Sequence, residues 1–202
     1  MATTAIKKPA SKSWRVVDIV VAALIAIAGG VIFWAWSQGA AAVSAPMNAV
    51  YPPLTGLIAG GWMIPAVLGM LIIRKPGAAL YTELVAAVIS ALVGNQWGPL
   101  TIVSGLVQGL GAEIVFLLFA YAVWRLPVAI LAGAGAGVAC GINDRILWYA
   151  GADTTFTIVY IVSTTISGAL IAGAGSWFVA RGLAATGALN RFASGREATR
   201  RV

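Results

Sequence analysis

Long apolar runs alternate with short polar breaks along the chain. Six runs stand out: Val16 to Trp36, Pro53 to Ile73, Ala78 to Gly94, Pro99 to Ala120, Leu126 to Trp148 and Thr155 to Ala180. A helix needs about 20 apolar residues to cross the hydrocarbon core. The pattern therefore predicts an all-α integral membrane protein with six transmembrane helices. The third run is the shortest and contains Glu83, so charge placement has to support it as well as hydropathy. The first run could be mistaken for a signal peptide, but the apolar core of such a peptide is only about 7–15 residues long. Val16–Trp36 is longer and ends in the interface anchors Phe33, Trp34 and Trp36, so it reads as a retained helix. Between the first two runs, Ser37 to Pro52 carries no charge, and Pro46, Asn48, Pro52 and Pro53 predict irregular chain there. Its length suits a lid or binding loop as well as a slack connector.

Composition agrees with a membrane protein. Of the 202 residues, 60% are apolar and 9% charged, against about 45–50% and about 25% in average globular chains. The formal charge of +7 would suit a nucleic-acid partner if it formed a patch. It does not. Lys7, Lys8, Lys12 and Arg15 precede the first run; Arg74 and Lys75 separate the second and third; Arg125 separates the fourth and fifth. Arg181, Arg191, Arg196, Arg200 and Arg201 follow the sixth, and only Arg145 falls near the other face. Twelve of the thirteen basic residues thus lie on one side of a six-span topology. By the positive-inside rule that side, with both termini, is cytoplasmic, and no nucleic-acid partner is expected. The expected parts are a short arm (1–14), a transmembrane domain (15–181) and a basic tail (182–202), with arm and tail loose. There is no histidine and one cysteine. Ser-His-Asp triads, histidine zinc sites and an intrachain disulfide are excluded. An intramembrane enzyme would have only Ser, Thr and Cys140 as nucleophiles, and Cys140 sits among Gly and Ala as a packing residue. No catalytic residue, metal or cofactor is expected.

Glu83 and Glu113 fall near mid-depth, where a charge costs at least about 2.5–3.5 kcal/mol. No basic residue shares that depth. The glutamates are therefore protonated, hydrogen-bonded, or met by a cationic ligand; the plainer reading is an acid stapling two helices. Thr101, Ser104 and Gln108 share one helix face, and Glu113 points away from it. Asn143 and Asp144 lie near the outer end of the fifth run, before Arg145, Trp148 and Tyr149. Asp144 could pair with Arg145 or cap the loop. Asp153 is placed to cap the sixth helix. Outer aromatics form an interfacial belt. Trp97, in the turn Gly94-Asn95-Gln96-Trp97-Gly98-Pro99, could also stack on a flat heterocycle while amides read its edges. Ala22, Ala26 and Gly30 give helix one a small-residue face, suited to internal packing or to another subunit. No P-loop motif occurs, so uphill transport would need an ion gradient or a separate ATPase.

Two stretches carry a resemblance. Arg74-Lys75-Pro76-Gly77-Ala78-Ala79, Glu83 and Gly94-Asn95-Gln96-Trp97-Gly98 form one; Ser104-Gly105-Leu106-Val107-Gln108-Gly109-Leu110-Gly111-Ala112-Glu113 forms the other. They resemble the YkoE family, substrate-binding (S) components of energy-coupling factor (ECF) transporters associated with thiamine and its hydroxymethylpyrimidine precursor. The resemblance covers Trp14 to Arg181. It implies an S-component fold with six helices in the cell membrane, and an outward-opening pocket covered by the first loop. It also implies docking of the Ala22, Ala26 and Gly30 face on a transmembrane coupling (T) subunit, with two ATPase subunits completing the importer. The S component would topple in the lipid bilayer to deliver its ligand.

For such a ligand, Glu83 first and Asp144 second would offset a thiazolium charge. Trp97 and Trp148 would stack the rings, and Gln96, Gln108 and Asn143 would hydrogen-bond the pyrimidine. Glu113 would be a staple or a further ligand contact. A proton-coupled carrier using Glu83 and Glu113 is the main rival, and a membrane scaffold without a small ligand is a third reading. The residues alone leave both thiamine and hydroxymethylpyrimidine open.

Overall fold

The apolar runs become helices, but several extend or distort beyond what the sequence pattern suggests. The computed structural model describes residues 12–195, and all regular structure within them is helical. Helix α1 spans Val16–Val50. A 3-10 segment, Pro52–Met63, leads into α2, Ile64–Ile73. Then come α3 (Ala78–Val93), α4 (Leu100–Leu118) and α5 (Leu126–Leu147). The last span is continuous from α6 (Thr154–Ser167) through a π-helical stretch (Gly168–Gly175) into α7 (Ser176–Ala185). Five segments are long and apolar enough to cross a membrane: Val16–Val50, Pro52–Ile73, Leu100–Leu118, Leu126–Leu147 and Thr154–Ala185. At 16 residues, α3 is about 24 Å long, short of the roughly 30 Å hydrocarbon core, and it packs between α1 and α4.

The irregular chain expected over 37–52 is corrected by α1, which runs unbroken through Pro46 to Val50. One proline removes a single backbone donor and crowds one preceding carbonyl. Near the end of an exposed helix that cost is tolerated. At 35 residues α1 is about 52 Å long, so it projects well beyond a bilayer core.

The second span is the central, most buried one, and side chains from its neighbours satisfy its irregular backbone. Ser167 Oγ accepts from Gly60 N (2.8 Å) and donates to Leu57 O (2.6 Å). Thr82 Oγ1 donates to Pro65 O (2.8 Å), and Glu83 Oε2 accepts from Ala66 N in the first turn of α2 (2.8 Å). Non-regular backbone is permitted at membrane depth only where protein supplies such partners. Glu113 does the same for α3. Its carboxylate accepts from Gly77 N (2.6 Å), Ala79 N (3.0 Å) and Leu80 N (3.4 Å), and from Tyr121 Oη (2.8 Å). Burial, then the hydrogen bond to Glu113, pushes the Tyr121 phenol up to about 12, so it stays a donor at neutral pH. Both glutamates are thus helix caps donated from another element.

The small face of α1 turns inward. Ala22 and Ala26 are fully buried. Gly29 and Gly30 lie against Pro65, Ala86 and Ile89. The Ala22, Ala26 and Gly30 face, which the resemblance assigns to subunit docking, is thus packed against α2 and α3 within the chain. Between α5 and the π-helical stretch the backbones touch, with no room for a Cβ at either Gly133 or Gly168. Gly133→Ala is expected to lower thermal stability by an overpacking cost of about 1–3 kcal/mol. A melting curve in detergent checks this, and a wild-type midpoint would show that the two helices have slack.

Charge segregates to the two ends of the bundle. Buried Asp18, on the first turn of α1, pairs with Arg15 (2.7 Å) and Lys75 (3.1 Å). Lys75 also donates to Ser13 O, and Trp14 Nε1 to Pro76 O (2.9 Å), so the start of the chain is tied to the α2–α3 turn. The tail, expected to be loose, packs at the same end. Leu189 and Phe192 are buried, and Ser194 Oγ donates to Ile72 O (3.2 Å). Lys7, Lys8, Arg196, Arg200 and Arg201 lie outside the described residues.

Candidate functional site

At the end opposite that basic cluster, a cavity of about 310 Å³ opens among the helix ends. Its size fits a small-molecule site. The last turns of α1 contribute Ser44 and Asn48; the 3-10 segment contributes Thr55 and Trp62. Gln96 and Trp97 enter from the α3–α4 turn, and Thr101, Ser104 and Gln108 from one face of α4. Cys140, Asp144, Trp148 and Tyr149 come from the end of α5, and Tyr160 from α6.

Asn95 makes the turn that carries Trp97. Its Oδ1 accepts from Trp97 N (2.9 Å) and Thr101 Oγ1 (3.0 Å), while its Nδ2 donates to Ser90 Oγ (3.0 Å). Gly94 and Gly98 supply the positive φ angles (100° and 57°) the turn requires. Trp97 then meets Trp62 edge to face, with centroids 5.2 Å apart. An aromatic corner of this kind leaves ring faces available to a flat ligand.

Among the described residues, Asp144 is the only carboxylate in the wall. Its Oδ2 accepts from Tyr160 Oη (2.8 Å) and lies 3.4 Å from Cys140 Sγ; its Oδ1 accepts from Asn143 Nδ2 (3.3 Å). Asn143 also donates to Ser104 Oγ (3.0 Å), joining α5 to α4 behind the wall. Arg145 does not pair with Asp144. Its Nε donates to Thr157 Oγ1 (2.8 Å), its Nη2 to Ala152 O (2.9 Å) and its Nη1 to Tyr149 O. The guanidinium therefore pins the α5–α6 turn and with it Tyr149. Arg145→Ala is expected to cost about 2 kcal/mol of stability, since charge-assisted hydrogen bonds contribute about 1.5–3 kcal/mol. Arg145→Lys should recover only part of this, because an ammonium cannot fork to three acceptors in one plane. Equal melting of all three proteins in detergent would overturn this role.

Gln108 joins the wall to the interior. With its amide nitrogen turned toward Trp62 O and Glu83 Oε1, both at 3.3 Å, both ends of the amide find matching partners. Glu83 stands behind it, fully buried and outside the cavity lining. Of the residues singled out from the sequence, Gln96, Trp97, Gln108, Asp144 and Trp148 line one cavity. Asn143 supports it, Glu83 lies beneath it, and Glu113 sits at the far end of α4 as the α3 cap. Asp153 caps α6 through Phe156 N (2.9 Å), as its position suggests. Trp62, Ser44 and Asn48 were not legible as site residues. In the sequence Trp62 is one more apolar residue of a span, and Ser44 and Asn48 fall in a stretch whose prolines predict irregular chain, where their helical i, i+4 relation is invisible.

Known proteins share both sequence and fold with this chain. A family model described as the permease component of an ABC-type cobalt transport system matches residues 17–139. YkoE of Bacillus subtilis strain 168, named as an HMP/thiamine permease protein, is 40% identical over 188 residues, 92% of this chain and 92% of that one. The crystal structure of an S-component of an ECF transporter matches with a TM-score of 0.86 at 39% identity, covering 94% of this chain and 95% of the other. These relatives are transport components, and the chain is a multi-pass protein of the plasma membrane. With sequence and fold shared over nearly its whole length, the protein belongs to the YkoE family of ECF transporter S components.

Proposed function

We propose that this chain captures thiamine or its hydroxymethylpyrimidine precursor in the cavity between α1, α4, α5 and α6, and delivers it through an ECF importer. The observation that carries the reading is an aromatic and amide-lined cavity with a single carboxylate among the described residues, Asp144, in its wall. Thiamine pairs a flat aminopyrimidine with a fixed thiazolium charge. Trp97 and Trp148 offer ring faces, with about 0.5–1 kcal/mol or more per cation–π contact and more when water is excluded. Gln96 and Gln108 offer donors and acceptors to the pyrimidine edge. Asp144 offsets the cation, and Glu83 acts from behind Gln108 rather than at the ligand.

The cavity end faces outward in this proposal, because the described basic residues other than Arg145 gather at the opposite end. A T subunit and two ATPase subunits supply the energy, since the chain carries no P-loop. The cobalt in the family model's description fits poorly as cargo. Among the described residues, no cluster of three or more His, Cys, Asp or Glu could hold a metal ion. The proton-carrier reading is weakened because Glu83 and Glu113 are engaged as helix caps.

Reconstituted vesicles separate the two readings. The purified chain alone should bind ligand yet give no sustained uptake, and adding the coupling module with ATP should start uptake. Uptake by the chain alone that an uncoupler abolishes would favour the carrier.

A further inference from the structure

We propose that the cavity selects the free alcohol form of its ligand and rejects its phosphate esters. This rests on the functional reading above and adds a specificity that the reading does not contain.

A phosphate ester carries about −1.5 to −2 charges near neutral pH. Binding it requires cations or a helix N-terminus turned toward the ligand. Among the described residues no Lys or Arg lines the cavity, and Asp144 is in its wall. Arg145, the nearest basic residue in sequence, has its guanidinium engaged with Thr157 Oγ1, Ala152 O and Tyr149 O. The other described basic residues, from Lys12 to Arg191, belong to the opposite end of the bundle.

Helix N-termini are the other usual anion holders. Three lie toward this end, and each has donors already engaged or missing. In the 3-10 segment, Pro52 and Pro53 carry no N–H and Leu54 N donates to Tyr51 O (3.0 Å). In α4, Thr101 N and Ile102 N donate to Gly98 O (3.2 Å) and Pro99 O (3.0 Å). In α6, Phe156 N and Thr157 N donate to Asp153 Oδ1 (2.9 Å) and Asp153 O (3.1 Å). The same segregation of charge that labels the topology has thus stripped the mouth of cations. A phosphate held in the cavity would meet Asp144 instead. Repulsion between like charges in a poorly hydrated site is an efficient way to exclude a near-identical competitor.

A place in a reaction sequence follows. A phosphate ester presented from outside must first be hydrolysed: water cleaves the phosphorus–oxygen bond, releasing inorganic phosphate and the alcohol that this cavity takes.

The test is calorimetric titration of the detergent-purified full chain with thiamine, hydroxymethylpyrimidine and their monophosphates, each ester before and after phosphatase treatment. The expected result is an ester at least about 100-fold weaker than its alcohol, with binding restored by phosphatase. In Asp144→Asn the alcohol-to-ester ratio should shrink several-fold. An ester binding within tenfold of its alcohol overturns the exclusion, and an unchanged ratio in Asp144→Asn overturns the part assigned to Asp144. If neither alcohol binds, the functional reading itself fails, which is distinguishable from an ester that binds as well as its alcohol.

Discussion

Asp144→Asn is expected to weaken thiamine binding by about 100-fold, close to 3 kcal/mol, while leaving the fold intact. Removing one partner of a desolvated, hydrogen-bonded charge pair costs about 2–5 kcal/mol, and a fixed thiazolium cation cannot escape that cost by losing a proton. Asparagine keeps an oxygen for Tyr160 Oη and a similar volume, so the melting midpoint without ligand should stay near wild type. Neutral hydroxymethylpyrimidine should lose much less affinity than thiamine. The variant therefore reports on the charge alone. Titration of both ligands checks it; equal losses for the two would mean that Asp144 acts through structure and not through its charge.

The second large effect falls on stability. Glu113→Ala is expected to lower stability by about 3–5 kcal/mol, because it strips a buried acceptor from several donors at once. Gly77 N, Ala79 N and Leu80 N lose their cap, and Tyr121 Oη loses its acceptor. A loss of this size is a large part of the roughly 5–15 kcal/mol that typically separates folded from unfolded protein. Glu113→Gln should fall between, since its amide keeps one acceptor oxygen. The measurement is thermal unfolding in detergent, paired with titration of the folded fraction. Binding should persist with an unchanged dissociation constant, because Glu113 stands at the other end of α4 from Gln96 and Trp97. Wild-type stability in Glu113→Ala, or lost binding in a fully folded sample, would contradict the cap.

These two carboxylates show what the sequence could and could not yield. Hydropathy located the apolar runs because lipid imposes a length and a composition on each crossing. Charge segregation was equally legible, and in the structure Arg15, Arg74, Lys75, Arg125 and Arg181 do share one end. Glu83 and Glu113 were recognisable as exceptional but not as caps. Their partners are backbone N–H groups on other elements, and nothing in the local spacing announces a long-range hydrogen bond. The same limit applies to the 3-10 segment, which exists because Ser167, Thr82 and Glu83 satisfy it from other helices. Pro46 misled in the opposite sense. It broke the local pattern of α1, yet the helix carries on for another turn and brings Asn48 to the cavity.

The small-residue face of α1 had two uses open to it, and the structure uses it inside the chain. Ala22, Ala26 and Gly30 let α1 approach α2 and α3 closely, and the last turns of the same helix reach the cavity with Ser44 and Asn48.

The most direct test of the central claim is calorimetric titration of the purified wild-type chain, without partner subunits, against thiamine and hydroxymethylpyrimidine, with an unrelated vitamin as control. Saturable one-to-one binding of at least one of the two, and none of the control, is the predicted result. Failure of both to bind a folded sample would contradict it.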